Sequence, residues 1–376
     1  MTRLPDFRLE TYFSRWEFAA RHHLTASDAQ SMPMAELLAF ADNEDREAWE
    51  TLSLGYTETF GDPLLRQAIA GTYEHAETDD VICFAGAEEA LYLAMQVLLG
   101  PDDHAIVLTP NYQAAETVPL SLCAVTGIAL DPRRDWALDL AEVAAAIRPN
   151  TKVISVNFPN NPTGKVLSRA DFAALAGLCD EHGIHLFSDE VYRGLELDPQ
   201  RTLPQAADLS PRGLSLNVTS KSLGLPGLRI GWIACRDRAV RAALEKAKHY
   251  TTICNAAPSE ILARIAIKAR ERILARNRDI IAANLPLFDE FFARYPDLFE
   301  WRHPDGGCVA YPRYRGPGDV ETFCRDLVEA AGVLLLPASI YHSELTATPT
   351  DHFRIGVGRA NPEPALAAFA DWLKVS

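Results

Sequence analysis

Lys221 stands in Asn217-Val-Thr-Ser-Lys221, directly after an apolar run, Leu214–Thr219, that reads as a buried strand. A lysine at a strand end is ordinarily solvated, but this one has unusual company. Ser220 precedes it, and Ser222-Leu-Gly-Leu-Pro-Gly-Leu-Arg229 follows. Gly224, Pro226 and Gly227 enforce a bent loop that can return Arg229 to the lysine's side. An amine beside a guanidinium and a hydroxyl has a depressed pKa, which suits Schiff-base chemistry. The planar guanidinium offers a bidentate grip on an anion.

Asp189 follows another apolar run, Ile184–Ser188. A carboxylate there is costly unless paired. It either caps the following turn or partners a protonated pyridine nitrogen, turning that ring into an electron sink. Tyr192, three residues on, could reach the same ligand. Asn161, in Asn160-Asn161-Pro-Thr-Gly164, lies just past the strand Val153–Phe158 and reads either as a turn or as a ligand-facing amide. Gly86 and Ala87 sit before the helical stretch Glu88–Leu99, where free N–H groups can hold a phosphate or merely be capped. Tyr112 follows the run Ala105–Thr109 and reads as a stacking ring or a core aromatic.

These residues share one position: the carboxyl ends of predicted strands. Ala105–Thr109, Val153–Phe158, Ile184–Ser188, Leu214–Thr219 and Ile230–Cys235 alternate with amphipathic segments such as Ala170–His182, which stops at Gly183. That alternation predicts a mostly parallel sheet with helices on both faces, and ligands bind such sheets beyond the carboxyl edge. After about residue 250 the pattern changes to a long helix over Pro258–Tyr295, short strands at Gly307–Tyr311 and Val333–Leu336, and a last helix over Pro362–Lys374. The helical stretch Phe7–His22 falls outside the sheet and is expected to pack with the C-terminal part or across a dimer partner. The expected division is a large α/β domain over 45–255, with 1–44 and 256–376 forming a smaller α+β domain.

Composition narrows the partners. The net charge is −15 with no basic cluster, which argues against nucleic acid and anionic membranes. No apolar run is long enough to span a membrane, and the N-terminal residues lack the core of a signal peptide. The seven cysteines are odd in number, scattered and without a C-x-x-C pair, so free buried thiols in a reducing cytoplasm are expected, with neither disulfides nor a metal site.

Taken together the motifs resemble the class I/II aminotransferases, fold-type I enzymes that use pyridoxal 5′-phosphate (PLP). They run in that family's order over nearly the whole chain: Tyr56 with Gly61 and Arg66, Gly86-Ala87-x-Glu89-Ala90, Pro110-x-Tyr112, Asn161-Pro-Thr-Gly164, Asp189-x-x-Tyr192, Ser220-Lys221, Arg229 and Phe353-Arg354-Ile355. The resemblance implies a seven-stranded central sheet. It implies that Lys221 is the Schiff-base lysine and proton shuttle, and that Asp189 partners the pyridine nitrogen. Tyr192 and Asn161 would bind the 3′-oxygen, and Tyr112 would stack on the ring. Ser220, Arg229 and the Gly86–Ala87 amides would cup the phosphate. Arg354 would clamp the substrate α-carboxylate, with Asn161 beside it. Tyr56 would reach the neighbouring subunit's phosphate, which implies a homodimer with shared sites.

Three departures stand out. Val218 occupies the position, three before the lysine, where the family often places a phosphate-binding Ser or Thr. The stretch His249–Asn255 lacks the arginine that aspartate aminotransferases contribute from the partner subunit. A dedicated dicarboxylate specificity is therefore not expected. Trp16-Glu17 resembles a pair found in arginine-acting relatives, where the acid meets the guanidinium. Glu17 or Asp28 is thus a candidate for a cationic or polar substrate side chain, against the plainer reading of Glu17 as a solvated helix acid. The histidine that follows in an arginine hydroxylase of this family has no counterpart in Ser27-Asp28-Ala29, so hydroxylation is not expected.

The expected reaction transfers an amino group between an L-amino acid and a 2-oxo acid. The alternative is another fold-type I PLP reaction: a C–S lyase, a cyclase or an arginine-type oxidase. A regulator built on this fold would need a DNA-binding domain before Tyr56. A nucleotide-binding protein would need glycine-rich patterns this sequence lacks.

Overall fold

The computed structural model describes residues 4–374. Seven strands form the main sheet: β1 (Val81–Phe84), β2 (His104–Thr109), β3 (Ala124–Ala129), β4 (Thr151–Asn157), β5 (His185–Asp189), β6 (Gly213–Val218) and β7 (Gly231–Cys235). Their spatial order is β1-β7-β6-β5-β4-β2-β3. Strands β2 to β6 run parallel, and β7 is antiparallel to both its neighbours. Every residue of β2 and β6 is buried, which is why these segments read as unbroken apolar runs rather than alternating ones. Each fully buried Leu, Ile or Val contributes about 1.5–3 kcal/mol.

The five strands expected from the sequence all form, with ends displaced by one or two residues. The two edge strands carry weaker signals. β1 is only four residues long, and β3 (Ala-Val-Thr-Gly-Ile-Ala) is partly exposed. Its Gly127 leaves room for Leu345, against which a Cβ would collide. The chain reverses its progress across the sheet between β2 and β4, so Tyr112 and Asn161 come from loops on either side of that switch.

The sequence predicts one helix over Pro258–Tyr295. There are two, Ala257–Lys268 and Arg270–Ala293, meeting at Ala269 (φ −93°, ψ 6°). The break lets each serve a different core: Leu262, Ile265 and Ile267 pack with Leu65 and Trp232, whereas Phe288, Phe291 and Phe292 pack with Phe353 and Phe369. That second core is aromatic, with the Phe299 ring 5.4–5.9 Å from those of Phe292, Phe323, Phe353 and Phe369. Over it lies a three-stranded sheet of β8 (Val309–Ala310), β9 (Leu336–Pro337) and β10 (Phe353–Gly356), with β10 central and antiparallel to both.

The N-terminal helix is shorter than expected, Arg8–Trp16, because the chain then turns and His22–His23 pairs in parallel with Val333–Leu334. This segment therefore packs on the C-terminal part. No helix among the described residues is long and apolar enough to cross a membrane. All seven cysteines are unpaired, and five of them are buried.

Candidate active site

A cavity of about 580 Å³ opens at the carboxyl edge of the sheet. Its floor comes from strand ends: Asn157 at the end of β4, Asp189 at the end of β5, Val218 at the end of β6, and Ser220 and Lys221 just after it. Its roof is the helix Arg8–Trp16 with its flanks, contributing Phe7, Leu9, Glu10, Phe13 and Glu17. The roof is tied down where Arg8 N donates to Gln113 Oε1 (2.9 Å) and Gln113 Nε2 donates to the Asp6 carbonyl (2.9 Å). A second cleft of about 530 Å³, between Trp136, Tyr311 and His352, takes Thr163 from the Asn161–Gly164 motif but none of the residues given a catalytic, cofactor or substrate role.

The loop after β6 folds back as its glycines and proline require. Thr219 N donates to the Ile230 carbonyl (3.0 Å), closing the loop. Lys221 Nζ donates to Ser27 Oγ at 2.8 Å. Burial holds the Lys221 amine below its ordinary pKa, Asp28 pulls it back up, and Arg354 pushes it further down. The acidifying guanidinium is thus Arg354, where Arg229 was expected. Arg229 instead takes a left-handed turn (φ 53°) and lies against Gly86. Gly86 itself has φ 101°, and a Cβ there would strike the Arg229 guanidinium. This glycine is required twice over, by conformation and by close approach.

Asp189 lies beside Asn157 in register and faces the cavity, partly exposed there. Burial raises its pKa to about 6, against the opposing pull of the Val191 amide and Lys221. Its Oδ1 accepts from Val191 N at 3.2 Å, so it also caps the next turn. The Asp189 carbonyl accepts from Asn157 Nδ2 (3.0 Å), and Asn157 Oδ1 accepts from Asn161 N (2.8 Å). The hydroxyls of Tyr192 and Ser220 are buried without a hydrogen-bond partner; Ser27 acts on the Tyr192 phenol without reaching hydrogen-bond geometry.

Arg354, on β10, is wholly buried behind Asn161 and does not line the cavity. Its Nη2 donates to the Thr25 carbonyl (2.8 Å), and its Nη1 donates to Tyr341 Oη (2.7 Å) and Asn161 Oδ1 (3.2 Å). Tyr341 Oη in turn donates to Asn161 Oδ1 at 3.1 Å. Tyr56 is 93% exposed and lies outside the cavity.

The cavity joins Tyr112, Glu17 and Asp28, all marked in the sequence, to Glu88, His23 and Arg359, which carried no signal there. Glu88 opens the helix after Gly86, and burial lifts its pKa to about 7 while a hydrogen bond from Tyr112 lowers it. Tyr112 is covered by Phe7, with ring centroids 5.3 Å apart. Glu17 Oε1 is 3.8 Å from His23 Nε2, and burial takes that imidazole down to about 4, leaving it neutral. Asp28 is paired with Arg359, whose Nη2 lies 3.0 and 3.1 Å from its two oxygens. Only tertiary closure brings 28 and 359 together.

The residues present fit PLP. The two unpartnered buried hydroxyls, the guanidinium against a glycine at a helix start, and the lysine and aspartate at adjoining strand ends supply donors and charges for such a group.

The comparisons agree with the geometry. A family model described as aminotransferase class I and II matches residues 35–369. Capreomycidine synthase of Streptomyces vinaceus is 28% identical over 98% of this chain and 94% of that protein. The arginine–pyruvate transaminase AruH of Pseudomonas aeruginosa is 30% identical over 80% of this chain and 77% of that protein. A PLP-dependent aminotransferase from Streptococcus suis superposes with a TM-score of 0.92 at 27% identity, covering 100% of this chain and 99% of that one. Sequence match, fold and cavity converge on one assignment: this chain belongs to the class I and II aminotransferases, and it is a PLP-dependent enzyme that moves amino groups between amino acids and 2-oxo acids.

Proposed function

We propose that the amino donor carries a cationic side chain, received under the roof helix by Glu17 and Glu10. The observation behind this is charge. Five carboxylates line the cavity, Asp189 in its floor and Glu10, Glu17, Asp28 and Glu88 around it, and of these Asp28 is the one spent on an arginine. Glu17 faces a neutral imidazole, and burial with Glu10 nearby raises its pKa. A guanidinium or ammonium would relieve that repulsion. One relative is named for arginine as its donor. Glu17→Gln should lower kcat/KM for arginine about tenfold to a hundredfold, from the loss of one charge-assisted hydrogen bond. Equal losses on arginine and on neutral amino acids would refute the assignment.

The other residues take the roles that the family resemblance implies. When bound, PLP supplies an electron sink for the negative charge left at the substrate's Cα. The Nζ of Lys221 takes the Cα proton, its amine kept available by burial. Asp189 would hold the pyridine nitrogen protonated, Tyr192 and Asn161 would donate to the ring oxygen, and Tyr112 would stack on the ring. Ser220, Arg229 and the amides of Gly86 and Ala87 would hold the phosphate. Arg354, buried behind Asn161, would position the α-carboxylate through that amide.

The assembly is a homodimer in which Tyr56 completes the partner's phosphate site. Supporting it, Leu54, Tyr56, Tyr250 and Ile253 are exposed apolar side chains, and Thr57 Oγ1 donates to the Asn255 carbonyl (3.2 Å), drawing their two segments together. The large domain is 45–255, the rest forms the small one, and the free thiols suit the cytoplasm.

A second reading has its own support: one near full-length match is to capreomycidine synthase, and cyclisation would use the same residues. Incubation with pyruvate and either arginine or an arginine hydroxylated at Cβ separates the two. A new alanine marks transfer, whereas loss of water from the hydroxylated substrate to give a cyclic guanidino acid, without alanine, marks cyclisation.

A further inference from the structure

An amino transfer admits two substrates to one cavity in turn, so the wall that meets the donor's side chain must also meet the acceptor's. That wall carries a cation no sequence pattern marked. Arg359 follows β10 and lines the cavity beside Asp28. One nitrogen, Nη2, serves both Asp28 oxygens, at 3.0 and 3.1 Å. Its Nε is buried with no hydrogen-bond partner. Arg354, by contrast, has each of its three nitrogens engaged by Thr25, Asn161 or Tyr341. Arg229 is turned toward Gly86. Arg359 lines the same cavity as Glu17, His23 and Asp28, and its side chain stays 41% exposed, within reach of an entering substrate.

We infer that Arg359 is a specificity-determining residue for the acceptor: it receives the second carboxylate of a dicarboxylic 2-oxo acid, and Asp28 is its counter-ion when no such acceptor is bound. A planar guanidinium with an unspent Nε can turn a fork toward a carboxylate while Nη2 stays within reach of Asp28. A monocarboxylic acceptor offers nothing for that fork. The segment His249–Asn255 has no arginine, so here the cation comes from the same chain that holds Lys221. No covalent step is added; the amine still passes to C2 of the oxo acid. The inference does not depend on the donor being cationic.

The test measures the second half-reaction on amine-loaded holoenzyme with 2-oxoglutarate and with pyruvate. In Arg359→Met the preference ratio, kcat/KM for 2-oxoglutarate over that for pyruvate, should fall about thirtyfold, with the loss in KM, as expected for one bidentate charged contact. Arg359→Lys should recover part of it. On the unmodified holoenzyme, glutarate should inhibit at least about tenfold more tightly than butyrate. A ratio unchanged in Arg359→Met, equal losses for both acceptors, or equal inhibition by glutarate and butyrate would each overturn the inference. The glutarate comparison decides the matter even if the variants fail to fold. The arginine test of Glu17→Gln reads the other half-reaction, so the two ideas fail separately.

Discussion

The phenol of Tyr341 accepts from Arg354 Nη1 at 2.7 Å and donates its own O–H to Asn161 Oδ1, 3.1 Å away. One hydroxyl therefore couples the buried arginine to the amide that faces the cavity. Tyr341→Phe keeps the ring and removes the relay, leaving Nη1 only the longer contact to Asn161 at 3.2 Å. If Arg354 positions the α-carboxylate, KM should rise about tenfold for every amino acid tried, while kcat changes little. A loss confined to kcat would mean that Tyr341 acts on the chemistry instead.

Lys221→Ala should still take up cofactor, because the other contacts remain. Borohydride followed by peptide mapping should label position 221 in the parent and nothing in the variant. The half-reaction with any amino acid should slow by at least about a thousandfold, the range for losing a positioned proton carrier and nucleophile together. Turnover within tenfold of the parent would remove Lys221 from its role.

Gly86→Ala and Arg229→Met probe the phosphate corner from opposite sides. A methyl on Gly86 meets the Arg229 guanidinium and must also sit at φ 101°. Either change should weaken cofactor binding about tenfold to a hundredfold, the worth of one charged hydrogen bond to the phosphate. The double variant should cost little more than the worse single one, because both act on the same contact. Full additivity, read from equilibrium titration of cofactor fluorescence, would show that the two act separately.

Asp189 gives a pH signature. Its carboxyl is raised to about 6 in the ligand-free fold by burial, against about 3.9 in an unfolded chain. Between these values the fold keeps a proton the unfolded chain has lost, so this group favours the fold at low pH, and the benefit disappears as pH rises through about 6. The shift corresponds to about 3 kcal/mol. Cofactor-free Asp189→Asn should therefore melt above the parent at pH 8 and much closer to it at pH 4. The holoenzyme should show the reverse penalty, because the amide no longer pairs with the ring nitrogen. Calorimetry on stripped and loaded protein at both values checks this; a gap in Tm independent of pH would contradict it.

The floor of the cavity was legible in the sequence because strand ends are local features: an apolar run followed by Asp189, Asn161 or Lys221 declares its own position. The loop from Ser222 to Arg229 was legible for the same reason, through its glycines and proline. The return of Arg229 was anticipated, but its partner was not. Gly86 captures the guanidinium, while Arg354, far along the chain, presses on Lys221. Glu88 looked like any acid in a first helical turn until the roof closed over it. The pairing of Asp28 with Arg359 and the relay through Tyr341 join positions hundreds of residues apart, and no periodicity records such distances. The edge strands β1 and β3 were faint because shortness and partial exposure erase the buried-strand pattern.

The roof has a consequence for folding. Phe7 to Glu17 cover the cavity, yet the ladder beside them needs Val333 and Leu334, and the Asp28 pairing needs Arg359. Gln113 can hold Arg8 as soon as the main sheet forms, but the ladder and the Asp28 pairing join segments at very long sequence separation, the kind of contact that slows folding. Completion of the roof is therefore among the slow steps by which this cavity is made.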